Sequence, residues 1–272
     1  MKNEIFSGQR FWTYFKYDLV QMWRNHVKAA VDIGLAGLIV YFVVVLFNLT
    51  FNGTWQGPGI TGRFFTFFLA SFALELYYTR IYGYLTDKRK GSAWLMMPAS
   101  TVEKWVSMLI MACIVLPVLF FLASFLVDGV LCALDPTVGK SMVSVLAGGW
   151  QSFVSALTDV NDEYTLTLNV APLGWGILLS TWANLLYFLL CGICFKRNKI
   201  LGAFAIAFGL SILSSIFMSS FSLNLVEDMQ ADNIAMAEAN INRIMVWANA
   251  LSAVLAAALV GGIFWRLKTL KH

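Results

Sequence analysis

The chain has 272 residues, of which 59% are hydrophobic and only 12% charged, with a net charge of +4. A soluble domain carries about 45–50% apolar and about 25% charged residues, so half the usual charge cannot cover a globule of this size. Disorder and a disulfide scaffold, with 4 cysteines in all, are excluded as well, and the composition is that of an integral membrane protein. The 2 histidines are His26 and His272. Bis-histidine haem, histidine-bound zinc and Ser-His catalysis would each need histidines within the membrane domain. No catalytic residue and no metal site is therefore expected.

The apolar stretches are long and do not alternate, which favours spanning helices over a barrel. Met1 to Gln9 lack the apolar run of a cleavable signal. Residues 1–28 form an entry segment that is too polar to span but is patterned. At 100° per residue, Phe11, Trp12, Phe15, Leu19, Met22 and Trp23 fall within an arc of about 120°, with basic residues opposite or flanking. That pattern describes an amphipathic helix in the membrane interface. It serves either as an anchor for the first span or as an elbow supporting a transport domain.

Residues 29–272 read as a membrane domain with six spans, at 29–46, 64–85, 106–130, 173–195, 200–223 and 244–265. Of the 19 basic residues, all except Arg63, Lys140 and Arg243 fall before span one, around the 2–3 and 4–5 connections, or after span six. The alternate loops hold Asp135, Asp159, Asp162, Glu163, Glu227, Asp228, Asp232 and Glu238. By the positive-inside rule both termini are cytoplasmic. The fold class expected is thus an all-α integral membrane protein with six transmembrane helices and an N-terminal interfacial helix. The outer loop 135–172 is long enough for a small cap of short helices.

Asp32, Glu75 and Arg80 stand out as ionisable groups at membrane depth, where burial costs at least a few kcal/mol. Asp32 follows Lys28 at helical pairing distance. These groups either pair and snorkel, or place Glu75 on a substrate pathway or dimer interface; a proton-coupling carboxylate is a third reading. Cys191 and Cys194 have redox-motif spacing but no βαβ context, and read as small packing residues, as do Gly261 and Gly262. The same holds for the serine-rich stretch 211–222, with a polar pathway lining as the minority reading.

The most informative segment is cytoplasmic, residues 86–104. A basic cluster, Lys88-Arg89-Lys90, precedes Gly91; an exposed apolar run, Trp94-Leu95-Met96-Met97, then stops at Pro98. Ser100 and Glu103 have the spacing of a capping box opening the helix of span three. An exposed apolar patch of this kind buries itself against a partner, in the membrane or under a lid of its own protein, and methionine suits an adaptable docking surface.

From the basic stretch through Met97-Pro98-Ala99-Ser100-Thr101-Val102-Glu103-Lys104 into a long apolar span, the segment resembles ABC transporter permeases of the type-2 exporter kind. That family joins its second and third spans by a segment reading roughly Leu-Pro-(small)-Ser/Thr-x-x-Glu/Lys; here Met97 replaces the leucine. The resemblance implies a coupling helix at Gly91–Ser100 that docks in a groove of a separate ATP-binding subunit, with Trp94, Leu95, Met96 and Met97 as anchors. It further implies an entry helix bordering that interface and a second permease chain, identical or paralogous, completing the pathway. No G-x-x-x-x-G-K-[ST] loop occurs in the sequence, so ATP and Mg would belong to the partner and this chain would hold no cofactor. The lipid bilayer is the other expected partner, nucleic acid is not one, and the expected location is a bacterial inner (plasma) membrane. Two rivals are a membrane scaffold or sensor docking another cytoplasmic protein, and a small ion-coupled carrier using Glu75.

Overall fold

The computed structural model describes residues 6–86, 91, 92, 94, 96–149, 171–209, 211, 212 and 234–270. Among them every regular element is a helix. Four helices are long and apolar enough to cross a membrane: Gly8–Phe51, Ile60–Thr86, Thr101–Leu134 and Arg243–Thr269. Their outward residues include Phe42, Phe47, Phe68, Leu126, Trp247 and Leu251, each more than half exposed. Aromatic and aliphatic side chains facing outward along whole helices suit lipid and would be a liability in water. The chain is a membrane protein.

α1 (Gly8–Met22) passes through a π-helical turn, Trp23–Val27, into α2 (Lys28–Gly34). A break comes only at Leu35, before α3 (Ala36–Phe51). The entry segment is therefore joined to the first spanning helix with no break in the helix at residue 28. α4 (Ile60–Ile81) follows, ending in a 3-10 turn, Gly83–Thr86.

α5 (Thr101–Ile110) and α6 (Leu116–Leu134) form one rod through a second π-helical turn, Met111–Val115. Pro117 lies one turn into this junction. It has no N–H and cannot complete a regular α-helical ladder, and a wider turn just before it accommodates the gap. Beyond α6 come a 3-10 turn, Pro136–Val138, and α7 at residues 142–149. The rest of the expected outer cap, 150–170, lies outside the described residues.

The fourth expected span falls within α8 (Ala171–Cys194). The start of the fifth forms α9 (Lys199–Gly209), and the remainder, with most of the serine-rich stretch, lies outside the described residues. α10 (Ile234–Thr269) contains the sixth.

One apolar core joins the helices, with Tyr78, Ile81, Met111, Leu189 and Ile263 fully buried. α8 approaches α4 so closely that a Cβ on Gly192 would collide with the Thr79 carbonyl. This is the close-packing role expected of small residues there. A Cβ on Gly262 would meet Leu190 at ordinary contact distance, whereas one on Gly261 would meet nothing among the described residues.

Candidate functional site

The segment singled out by sequence sits where α1 meets the start of α5. Ser100 is the N-cap of α5. Its hydroxyl accepts the Glu103 N–H at 3.2 Å, and the Glu103 carboxylate accepts the Ser100 N–H at 2.8 Å, so the expected capping box is formed. The same carboxylate does more than cap. It accepts a forked pair of bonds from Arg10, Nε to Oε2 and Nη2 to Oε1, both at 2.8 Å, and the Ser7 N–H at 2.9 Å. Glu103 is fully buried while Arg10 remains 40% exposed. A buried carboxylate survives only when several donors replace water, and here those donors come from both helices.

Trp94 corrects the expectation of an exposed anchor, for it is only 4% exposed. Its indole N–H donates to the Tyr14 hydroxyl at 3.0 Å, and Lys104 Nζ lies 4.6 Å over its ring while donating to the Trp94 carbonyl at 2.8 Å. A cation over an indole face is a favourable, largely desolvated contact. Trp94 thus fastens the connecting segment to α1 and α5. Met96 is the outward member of the run, at 84% exposed, with Met97 and Pro98 half-buried or exposed beside it. Gly91 is helical and buried. Leu95 lies outside the described residues.

The apolar arc of the entry helix is shared between the core and the surroundings: Met22 is buried, and Phe15 and Leu19 pack against the core. Tyr14, Asp18 and Met22, one turn apart, are buried. Asp18 accepts Ser107 Oγ at 2.6 Å and Tyr82 Oη at 3.1 Å. Trp12 and Trp23 are more than half exposed, and Phe11, Phe15 and Leu19 are intermediate. In a bilayer interface this assignment is physically sound, since lipid takes the apolar face and the protein supplies partners for the polar stripe. Arg10, Tyr14, Asp18, Tyr82, Lys104 and Ser107 were not marked by sequence. Their signal was the four-residue spacing of Tyr14, Asp18 and Met22, hidden by its mixed polarity.

The charges expected at membrane depth do not gather. Asp32 and Arg80 are exposed and Glu75 is half-buried. The ion pairs among the described residues are Arg10–Glu103 and Arg63–Asp128, and neither Lys28–Asp32 nor Glu75–Arg80 is among them. Asp128, inside expected span three, is the carboxylate that sequence overlooked. It is buried against the guanidinium of Arg63, which also donates to the carbonyls of Val138 at 3.0 Å and Lys140 at 2.8 Å.

Nearby, Asp135 ties α3 to the turn after α6. It accepts Tyr41 Oη at 2.7 Å, Trp55 Nε1 at 3.2 Å and Thr137 Oγ1 at 2.7 Å. The Tyr41 and Thr137 bonds outweigh its burial and hold the Asp135 carboxyl down at about 2. These two knots lie at the end of the helices opposite Glu103 and Lys104. Cys191 is buried and Cys194 exposed, and both are free thiols. No group of metal-ligating side chains occurs among the described residues.

No protein-family model, curated protein or solved structure matches this chain.

Proposed function

We propose that this chain is the transmembrane permease subunit of an ATP-driven exporter in a bacterial inner membrane. It would have six spans and both termini in the cytoplasm. A separate ATP-binding-cassette subunit would carry ATP and Mg, and a second permease chain would complete the pathway. The observation that carries the reading is the construction of the connecting segment. Met96 stands outward on a turn whose base is fastened to α1 through Trp94–Tyr14 and to α5 through Lys104, with Glu103 joining both helices. Displacement of a partner held at Met96 and Met97 would move the entry helix and the third-span helix together, which is what a coupling element must do.

Six spans have support in helix direction. Along α8 and α10, Gly176 lies beside Asn249 and Gly192's neighbour Leu190 lies beside Gly262, so the two helices run parallel. The chain between them must return across the bundle, which a fifth span beginning at α9 provides. The Lys199 ammonium donates to Thr86 Oγ1 at 2.9 Å, placing the start of α9 at the basic end beside the 2–3 connection.

The test is affinity purification from the native host in mild detergent, with mass spectrometry of what accompanies the chain. It is run alongside Met96→Ser/Met97→Ser, which leaves the Trp94 fastening intact. Co-purification of an ATP-binding-cassette subunit with the parent and its loss with the variant is the expected result. A different cytoplasmic protein lost in the same way would replace the exporter by a scaffold. A chain that travels alone would favour the ion-coupled carrier.

A further inference from the structure

At the basic end, a groove of about 630 Å³ opens between the end of α4 and the start of α9. Arg80, Lys196 and Lys199 line it, and no acidic residue does. Lys199 is committed to the fold: it donates to Thr86 Oγ1 at 2.9 Å and to the Gly83 carbonyl, fixing the α8–α9 turn against the 3-10 turn that ends α4. Asn198 makes this turn tight by adopting φ +50°, a left-handed conformation that asparagine tolerates better than most residues. Its carbonyl accepts the Gly202 N–H at 2.9 Å and so opens α9 beside the groove. The positive end of that helix adds to the field of the three cations.

Arg80 and Lys196 are exposed. The lining continues into apolar residues of α9: Leu201 is 69% and Phe204 39% exposed. Phe204 stacks edge-on against Phe72 at 5.8 Å, and Phe72 is itself partly open, which extends the apolar track along the outside of the bundle. Cations at the rim and an outward apolar track leading away from them match an amphipathic anion, and a free phosphate would leave that track unused.

We infer that this groove binds the phosphodiester headgroup of an anionic phospholipid between Arg80 and Lys196, with an acyl chain along Leu201, Phe204 and Phe72. The site requires only that the chain be embedded in a bilayer and is independent of the exporter reading. Its role is to fix the α8–α9 turn at the leaflet surface, where basic pockets between helices attract anionic headgroups.

The protein in neutral detergent is titrated with phosphatidylglycerol or with phosphatidylcholine of the same chains, and bound lipid is counted by native mass spectrometry. Phosphatidylglycerol is expected to bind in preference. Arg80→Gln and Lys196→Gln should each weaken it about fivefold, the effect of one basic residue at an anionic surface. Lys16→Gln, an exposed cation on the entry helix, should change nothing, and inorganic phosphate should not displace the lipid. Leu201→Asn should weaken long-chain lipid more than a short-chain analogue. Equal binding of phosphatidylcholine, unchanged binding by the Arg80→Gln/Lys196→Gln double variant, or displacement by inorganic phosphate would each overturn the assignment, the last in favour of a soluble phosphate site.

Discussion

The carbonyl of Ala112 shows how one residue type dictates the environment of another. In the π-helical turn the Leu116 N–H donates to Met111, and the next residue, Pro117, has no N–H to give. Ala112 is therefore left without a backbone donor in the middle of the apolar core, and the Tyr78 hydroxyl on α4 donates to it instead. Tyr78 is fully buried. Tyr78→Phe should lower stability by about 1–3 kcal/mol, the cost of an unsatisfied buried acceptor. In a Pro117→Ala background the ladder can close, and the same substitution should cost distinctly less. Thermal unfolding of the four proteins in one detergent measures the cycle, and additive losses would refute the account. Pro117 is visible in the sequence as a missing donor, but which side chain answers it depends on a contact between distant residues. Asp128 is the same kind of case: Arg63 reads as an ordinary loop cation until α4 and α6 are placed together.

At the level of elements, the capping box was legible because its two members are three residues apart and need no tertiary contact. The reach of Glu103 to Arg10 was not, since more than ninety positions separate them. The apolar arc of the entry helix was legible as a membrane-facing pattern, whereas the buried stripe of Tyr14, Asp18 and Met22 was not, because its polar members are answered by Trp94, Tyr82 and Ser107 from distant segments. The asymmetry of the clasp gives a signed prediction. Removing Arg10 leaves a buried carboxylate short of its countercharge, which is worse than removing the charge altogether. Glu103→Gln keeps an acceptor at the third helical position, where glutamine also completes a capping box. Arg10→Met should therefore lower the melting temperature more than Glu103→Gln, at about 1–2 kcal/mol given the partial exposure of Arg10. Adding Glu103→Gln to Arg10→Met should recover part of the loss. A double variant weaker than Arg10→Met alone would mean that Arg10 acts only as a surface charge.

For the whole molecule, four of the hydrophobic runs correspond to helices long and apolar enough to cross a membrane, because lipid imposes a length and a polarity that sequence records directly. The knots that close each end are long-range and polar, so no local pattern announces them. Their placement bears on topology. Glu103, Lys104 and the Lys199–Thr86 bond lie at one end, while Arg63–Asp128 and Tyr41–Asp135 lie at the other. The basic segments gather at the first of these. With six spans and that end facing the cytoplasm, single cysteines in a chain otherwise freed of its four should divide cleanly. Lys140→Cys and Arg243→Cys should react with an impermeant maleimide on intact cells. Met96→Cys, Lys196→Cys and Lys268→Cys should react only after permeabilisation. The Lys196 position decides the count: if α8 failed to cross, it would label together with Lys140. If the whole pattern were inverted, the six helices would stand but the proposed docking surface around Met96 would face outward, where no ATP-hydrolysing subunit could reach it.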